Sequence, residues 1–332
     1  MRTAISSLSR LSPKQWLAAG LLASCAIAAS AFDLQAHRGG RGLMPENTLP
    51  AFEHALSLGV DTLELDVGLT GDGVVVIAHD PSLNPLITRG ADGQWLAAGK
   101  GPTLKSLTFA QLQAFDVGRI QPGSPYATTF NLQQGRDGTR IPTLASLFDR
   151  VKARGANSVR FNIETKLSPA LPDETASPEV MTRALLDVVR QAGMTSRVSI
   201  QSFDWRTLRL VQQLEPAIPT VYLTIQTANT DNVRDGTSTA GFRIADHGSV
   251  PKMVKAAGGA VWAPNGGAVT EALVKEAQAL GLKVVPWTIN NPADLERFIA
   301  WGVDGLITDY PDRLRDVMRA RQLPLPRPVP GS

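Results

Sequence analysis

The sequence predicts an α/β fold, namely a TIM (β/α)8 barrel with a small insertion after the second strand. Short apolar or β-branched runs alternate with longer amphipathic stretches, which is typical of βα units around a parallel sheet. Eight such runs match the strand number of a TIM barrel. The predicted strands are Leu34 to His37, Thr62 to Asp66, Ser158 to Glu164, Val198 to Gln201, Thr220 to Leu223, Ala260 to Ala263, Lys283 to Trp287 and Gly305 to Thr308.

Helices are predicted between most of these strands. They include Thr48 to Leu58, Pro178 to Ala192, Thr270 to Leu280 and Pro292 to Ala300. Glycines at or near their ends favour left-handed helix caps, at Gly59, Gly193, Gly281 and Gly302. A doubly wound open sheet is the alternative fold, but no glycine-rich phosphate loop follows the first strand.

Other segments interrupt the βα pattern. Val74 to Ala78 follows a Gly-Asp-Gly turn signal, which predicts a hairpin with the strand that starts at Thr62. Residues 81–142 are too many for a simple βα loop, so we expect an insertion that covers the barrel mouth. Residues 226–250 predict a second long loop on the same side. The barrel domain then spans residues 32–321, and the Pro-rich tail, residues 322–332, is expected to be disordered.

Residues 1–31 have the layout of a secretory signal peptide. They contain three basic residues and no acid, with an apolar run from Trp16 to Ala29 before Ala29-Ser30-Ala31. An amphipathic first helix is the alternative, but small residues rather than a polar face end the run. We therefore expect export, to the periplasm or outside the cell.

Cys25 adds an alternative to simple export. Leu22-Ala23-Ser24-Cys25 resembles a bacterial lipobox, in which the cysteine is lipidated and anchors the protein. Membrane association is expected only if Cys25 is lipidated. Because Cys25 is the only cysteine, no intramolecular disulfide can form.

The charge balance argues against nucleic acid as a partner. The chain has 33 basic and 30 acidic residues, and cleavage of the leader would remove three of the bases. The remaining protein is formally neutral and has no basic runs, so it lacks the electrostatic footprint of nucleic-acid binding.

Acidic residues on two predicted strands indicate a metal site. Glu64 and Asp66 are two residues apart, so both carboxylates project to one face of their strand. Two neighbouring anions inside a barrel repel each other, and a bound cation would compensate them. Oxygen ligands favour one divalent cation, Ca²⁺ or Mg²⁺. A solvated strand end with two surface acids is the alternative interpretation.

The third strand carries a further acid and a cation on one side. In Asn162-Ile163-Glu164-Thr165-Lys166, alternation places Glu164 and Lys166 together. Glu164 can complete the metal site, and Lys166 would add positive charge near a bound anion. A surface Glu-Lys pair is the alternative.

Two of the four histidines lie at strand ends. His37 and His79 should both open onto the C-terminal face of the barrel, where TIM-barrel active sites lie. Histidine can give or take a proton near neutral pH, so two could serve the nucleophile and the leaving group of a phosphodiester. Arg38 supplies a guanidinium suited to phosphate oxygens. A structural role is the alternative for a single strand-end histidine.

These runs resemble the glycerophosphodiester phosphodiesterase family over nearly the whole predicted mature chain. The similar motifs are His37-Arg38-Gly39, Pro45-Glu46-Asn47-Thr48, Ala51-Phe52, Glu64-Leu65-Asp66, His79-Asp80-Pro81, Glu164-Thr165-Lys166, Gln201-Ser202-Phe203, Trp287-Thr288-Ile289-Asn290, Gly302-Val303-Asp304-Gly305 and Thr308-Asp309-Tyr310-Pro311. Residues 118–140 match no motif of the family, and this departure bears on substrate choice.

The resemblance implies metal-dependent hydrolysis of small glycerophosphodiesters to sn-glycerol 3-phosphate and an alcohol. The implied metal ligands are Glu64, Asp66 and Glu164, and His37 with His79 would be the catalytic acid and base. Arg38 and Lys166 would bind phosphate. Aromatic residues are expected to line the pocket against the glycerol carbons, with a core role as the alternative for each. They are Phe203, Trp262 and Trp287.

Two other functions remain open on the same scaffold. A phospholipase that cleaves intact lipids would need a membrane-seeking rim, and no cluster of aromatic residues and lysines is evident in the loops. A non-catalytic binding protein would have lost a histidine or an acid. The two histidines and the three acids described above are all present, which favours an enzyme.

Overall fold

A computed structural model describes residues 32–330, and eight parallel strands with one antiparallel addition form its central sheet. The strands are β1 Asp33–Ala36, β2 Thr62–Leu69, β3 Val75–Ile77, β4 Arg160–Thr165, β5 Val198–Ser202, β6 Thr220–Thr224, β7 Val261–Pro264, β8 Lys283–Val284 and β9 Gly305–Thr308. Their order is β8-β7-β6-β5-β4-β2-β1-β9, and β3 pairs with β2. The predicted signal peptide, with Cys25, lies outside the described residues.

Backbone hydrogen bonds join the two edges of this sheet. The Ile307 N–H donates to the Pro286 carbonyl at 3.0 Å, and the Ile289 N–H donates to the Ile307 carbonyl at 3.0 Å. The sheet is thus a nearly closed barrel, and the predicted TIM barrel is confirmed. The strand predicted as Lys283 to Trp287 is shorter, because Pro286 has no N–H for a regular ladder.

Helices surround the barrel. They are α1 Leu49–Leu58, α2 Phe109–Leu112, α3 Pro125–Thr129, α4 Leu144–Ala153, α5 Pro178–Gln191, α6 Trp205–Leu214, α7 Ile244–His247, α8 Val250–Ala256, α9 Glu271–Ala279, α10 Pro292–Ala300 and α11 Pro311–Ala320. Thr48 caps α1 by accepting a hydrogen bond from the Ala51 N–H, and Gly59 ends that helix with a φ of 86°. No helix among residues 32–330 is long and apolar enough to cross a membrane.

Strand alternation separates two apolar regions. Side chains such as Leu63 and Leu65 point outward and are fully buried beneath the helices, in the main core. A smaller cluster fills the barrel interior, where Leu223 and Ala263 pack with Phe203 and Trp287. The acids of β2 share the interior face with this small cluster and therefore face the barrel axis.

The insertion follows the predicted hairpin. β2 continues beyond the barrel and pairs with β3, with Val67 opposite Ile77. The insertion has its own apolar cluster around Leu104, Leu112 and Val117. The insertion thus has a small core of its own, to which α2 contributes Leu112.

Ion pairs organise the part of the insertion that matched no motif. Arg89 pairs with Asp116 at 2.5 Å and with Asp137 at 2.6 Å. Arg119 reaches both oxygens of Asp137, each at 2.9 Å. These ion pairs connect Arg89, near the start of the insertion, to residues 116–137. Residues 116–137 are therefore stabilised by ion pairs within the insertion.

The C-terminal tail is ordered as far as the structure describes it. The Val329 N–H donates to the Leu56 carbonyl at 2.9 Å, and Arg315 donates to the Pro326 carbonyl at 2.8 Å. Apolar side chains of the tail also pack against the main core. The expectation of disorder is wrong for residues 322–330, because the proline-rich composition gave no sign of these distant partners.

Candidate active site

A cleft of about 420 Å³ opens at the C-terminal ends of the strands. Most of the predicted site residues line it together, at His37, Arg38, Glu64, His79, Glu164 and Lys166. These residues lie on or directly after β1, β2, β3 and β4, and β1, β3 and β4 each pair with β2. The barrel therefore gathers in one cleft residues that are up to 129 positions apart in the sequence.

The turn after β1 sets the orientation of His37 and Arg38. Arg38 has a φ of 52°, and Gly39 and Gly40 also have positive φ values. Positive φ is uncommon for a residue other than glycine and typical of functional turns. A Cβ on Gly39 would lie 2.9 Å from the Cβ of Ala51, so glycine permits the close approach of this turn to α1.

His37 is held by a buried carboxylate. Its Nδ1 lies 2.6 Å from Oδ1 of Asp309, and Oδ2 of Asp309 accepts a hydrogen bond from Asn290 at 2.7 Å. Burial lowers the pKa of His37 to about 4, although Asp309 opposes this shift. With Nδ1 bound to Asp309, Nε2 is the ring nitrogen left for the cleft, and it lies 4.0 Å from Glu64.

His79, which also lines the cleft, has a parallel arrangement. Its Nδ1 lies 2.7 Å from Oδ1 of Asp80, and Asn84 donates to the second oxygen of Asp80 at 3.0 Å. His79 is more exposed than His37, with side-chain exposures of 30% and 10%. Both imidazoles therefore present Nε2 as the ring nitrogen without an aspartate partner.

The three predicted metal ligands converge. One carboxylate oxygen from each of Glu64, Asp66 and Glu164 lies within 4.8 Å of the other two, and all three residues are buried. Oδ1 of Asp66 has no hydrogen-bond partner among residues 32–330. A buried carboxylate oxygen without a partner is costly, and coordination to a cation would satisfy it. Three carboxylates are donors suited to Ca²⁺ or Mg²⁺, so the residues fit such an ion.

Amide groups hold two of these acids in place. Gln201 donates to Oε1 of Glu64 at 2.6 Å, and the Arg38 N–H donates to Oε2 of the same residue at 2.8 Å. Asn47 donates to Oδ2 of Asp66 at 2.9 Å, and Oδ1 receives no hydrogen bond from the described part of the chain. Such contacts fix the direction in which each carboxylate points.

The pKa values of the acids reflect their crowding. Burial, and next the charge of Asp66, raise the pKa of Glu64 well above its usual range. Burial also raises the pKa of Glu164, against the opposing charge of Lys166. Burial would raise the pKa of Asp66 as well, but Arg38 and Lys166 hold it below its usual range. The cluster thus concentrates negative charge that a cation would stabilise.

Two cations border the acids. Nζ of Lys166 lies 2.7 Å from Glu164 and 3.9 Å from Asp66. The guanidinium of Arg38 lies 2.7 Å from Glu46 and 3.3 Å from Asp66. Both side chains also line the cleft, so they can meet an anion placed beside the carboxylates.

Aromatic and aliphatic side chains form the opposite wall. Phe203 and Trp287 line the cleft and meet edge to face, with 5.4 Å between ring centroids. Trp262 does not line it, which corrects the prediction. Trp262 is 1% exposed in the main core, where its indole N–H donates to Thr224 at 2.8 Å. Alternation along β7 points Ala263 into the barrel and Trp262 outward.

A sequence model of the Glycerophosphoryl diester phosphodiesterase family matches residues 37–313, which is most of the chain. The chain belongs to this family. Membership in the family makes it a phosphodiesterase.

Individual proteins of similar sequence and structure agree with this family. A Caldanaerobacter subterraneus subsp. tengcongensis protein named glycerophosphodiester phosphodiesterase is 29% identical over 288 residues, covering 86% of this chain and 96% of that protein. A solved structure from Silicibacter pomeroyi DSS-3, described as a candidate glycerophosphoryl diester phosphodiesterase, is 36% identical with a TM-score of 0.80, covering 89% of this chain and 95% of that one.

A third protein shares the fold. An Oleispira antarctica phosphodiesterase, solved in complex with the product sn-glycerol-3-phosphate, is 23% identical with a TM-score of 0.62. The alignment covers 86% of this chain and 96% of that chain.

Sequence reasoning about this phosphodiesterase missed several residues that shape the site. Asp309 and Asn47 stood in motifs of the family but received no role, although a carboxylate after the last strand was a readable signal. Arg41 was not singled out, and it lines the cleft while its Nε lies 2.7 Å from Oδ1 of Asp309. Gln201 was noted only as part of a strand end. These partners depend on which strands become neighbours.

Proposed function

We propose that this phosphodiesterase hydrolyses glycerophosphodiesters to sn-glycerol 3-phosphate and an alcohol in a reaction that requires a divalent cation. The observation that carries the proposal is that two aspartate-bound histidines line the same cleft as Glu64 and Glu164, which converge with the buried Asp66. General acid–base groups beside a cation site are what phosphodiester cleavage needs.

The phosphate is held between the polar groups of the cleft. Glu64, Asp66 and Glu164 would hold Ca²⁺ or Mg²⁺, which when bound supplies Lewis-acid stabilisation of charge on a phosphate oxygen. Arg38 and Lys166 donate hydrogen bonds to non-bridging oxygens and stabilise the additional negative charge of the transition state. Both cations are already fixed by carboxylates, so little reorganisation is needed.

The histidines move the protons. Nε2 of one imidazole accepts a proton from the attacking group, which is either water or the neighbouring glycerol hydroxyl. In the second case the product of this step is a cyclic phosphate, and water then opens it to glycerol 3-phosphate. Nε2 of the other donates a proton to the departing alcohol oxygen. Asp309 and Asp80 hold the Nδ1 atoms of His37 and His79, and this keeps each ring in one orientation.

The apolar wall suits the carbon atoms of glycerol. Phe203 and Trp287 offer ring surface at the cleft, and Leu223 lies beside them. Glycerol carbons packed here would leave the second alcohol of the diester on the opposite side, near β1 and the insertion.

Glycerol 3-phosphate release tests the proposal. Purified protein is treated with EDTA and assayed on glycerophosphocholine and on glycerophosphoglycerol, before and after Ca²⁺ or Mg²⁺ is restored. We expect release only with cation, and loss of release in His37→Ala and His79→Ala. His247→Ala is the matched control, since His247 lies on α7 and does not line the cleft. Turnover retained in both site variants would refute the roles of the histidines.

We also propose that the enzyme is exported, on the strength of the basic and apolar pattern in residues 1–31. When the full-length gene is expressed, cell fractionation should find the protein outside the cytoplasm. A membrane-bound fraction that is lost on Cys25→Ser would favour the lipid-anchored alternative, whereas purely cytoplasmic protein would contradict export.

A further inference from the structure

We infer that Arg41, held in place by the insertion, selects diesters whose alcohol carries hydroxyl groups, such as glycerol or inositol, over those that carry a quaternary ammonium. The inference rests on the proposed function, since it concerns which glycerophosphodiester the cleft prefers. Arg41 follows β1, borders the cleft and belongs to neither the acid cluster nor the histidine pair.

Three contacts fix the guanidinium of Arg41. Nε donates to Asp309 at 2.7 Å, and Nη1 donates to the hydroxyl of Tyr126 at 3.2 Å. The guanidinium carbon lies 4.7 Å from the ring centroid of Phe130. Nη2 makes no hydrogen bond within the described part of the chain, while the side chain keeps 16% of its surface exposed. Arg41 thus lines the cleft from a fixed position and has N–H donors that residues 32–330 leave without an acceptor.

The insertion provides this support from residues that match no family motif. Tyr126 and Phe130 lie on and directly after α3, and their rings meet edge to face at 4.8 Å. The Tyr126 hydroxyl also donates to the carboxylate of Glu46, which pairs with Arg38. Gln133 donates to the backbone carbonyl of Arg41 at 2.8 Å. The segment therefore positions Arg41 through contacts that do not involve the three predicted metal ligands.

The charges of the cleft decide which alcohol suits it. A trimethylammonium group is favoured by an open aromatic face, but the ring of Phe203 already has Nζ of Lys166 at 5.9 Å. On the opposite wall, Arg41 would repel a cationic head group and donate to a hydroxyl oxygen. Since the glycerol carbons suit the apolar wall, the departing alcohol lies on the side of Arg41.

The test compares kcat/KM for glycerophosphoglycerol and glycerophosphocholine under saturating cation. We expect the wild-type protein to prefer glycerophosphoglycerol by about tenfold, the scale of one charge-assisted hydrogen bond. Arg41→Gln should bring this ratio close to one. Tyr126→Phe should lower it in part, because the ring stays but the hydroxyl that holds Nη1 is lost.

Tyr222→Phe is the matched control. It removes another tyrosine hydroxyl, one that donates to the Ala257 carbonyl at 2.8 Å in the core, and it should leave the ratio unchanged. Thermal unfolding of each variant confirms that it is folded. A wild-type preference for glycerophosphocholine, or an equal loss on both substrates in Arg41→Gln, would overturn the inference. Absence of turnover on either substrate in the wild type would instead refute the proposed function.

Discussion

The imidazole of His37 and the carboxylate of Asp309 join the first and last strands of the barrel, with 2.6 Å between Nδ1 and Oδ1. His37 follows β1 and Asp309 follows β9, and these strands pair in parallel from Asp33 to Ala36. The orientation of one predicted catalytic group thus depends on contact between the two ends of the barrel. The site is complete only in the fully folded chain.

Asp309→Asn should lower kcat by on the order of a hundredfold while KM changes little, because an amide can accept or donate at Nδ1 and no longer imposes one orientation of His37. Steady-state kinetics on a glycerophosphodiester measure both constants. Asp204→Asn is the matched control, since Asp204 is equally buried but caps α6, where asparagine caps well. An unchanged kcat in Asp309→Asn would rule out this positioning role.

Addition of Ca²⁺ or Mg²⁺ should raise the Tm of metal-free protein, because the cation binds the folded carboxylate cluster. At a free concentration a hundred times Kd, the free energy of unfolding should rise by about 2.7 kcal/mol. Asp66→Asn should remove most of the rise, since Oδ1 of Asp66 is a buried carboxylate oxygen without a hydrogen bond from residues 32–330. Thermal scans over a range of cation concentrations measure the effect. A rise of equal size in Asp66→Asn would place the cation elsewhere.

Removal of residues 324–332 should lower the free energy of unfolding by about 1–3 kcal/mol without a change in kcat. The expected loss comes from hydrogen bonds such as Val329 to Leu56 and Arg315 to Pro326, together with partly buried apolar surface. Urea unfolding measures it. The control Arg327→Ala changes an exposed tail side chain and should leave stability unchanged. Equal stability of the shortened protein would contradict the packing of the tail.

Gly118→Ala should disorganise the insertion. A Cβ at Gly118 would lie 1.8 Å from the carbonyl oxygen of Arg136, a distance that only a backbone shift can relieve. We expect faster proteolysis between residues 116 and 137, and reduced turnover because Tyr126 lies in the same segment. Gly267→Ala is the control, since its nearest neighbour would be a side-chain oxygen of Asn265 at 3.3 Å. Unchanged proteolysis would show that the segment tolerates the shift.

Much of the barrel could be predicted from local pattern. Helices that start after a capping residue and end at glycine, such as α1 and α10, lie within one residue of their predicted bounds. Two-residue alternation also placed Glu64 and Asp66 on one face. Helix caps and strand alternation depend on only a few neighbouring residues, so they can be recognised in a single sequence.

The rest depended on contacts between distant segments. Alternation alone could not tell which face of β7 points inward, and Trp262 was assigned to the pocket although it lies in the core. The tail looked disordered because its partners, including Leu56, are far away in sequence. Arg41 and Tyr126 meet only because the insertion packs on the loop that follows β1, a relationship that no local pattern encodes.

The two ends of the insertion lie side by side on the hairpin. Val76 of β3 forms a bridge with Thr143, and the Ile77 N–H donates to the Pro142 carbonyl at 2.9 Å. A segment whose ends are adjacent can be exchanged for another of different length without rearranging the scaffold that carries it. The insertion can therefore be exchanged while the strands that carry the histidines and acids stay in place, and under the inference about Arg41 such an exchange would change the preferred alcohol but not the hydrolytic chemistry.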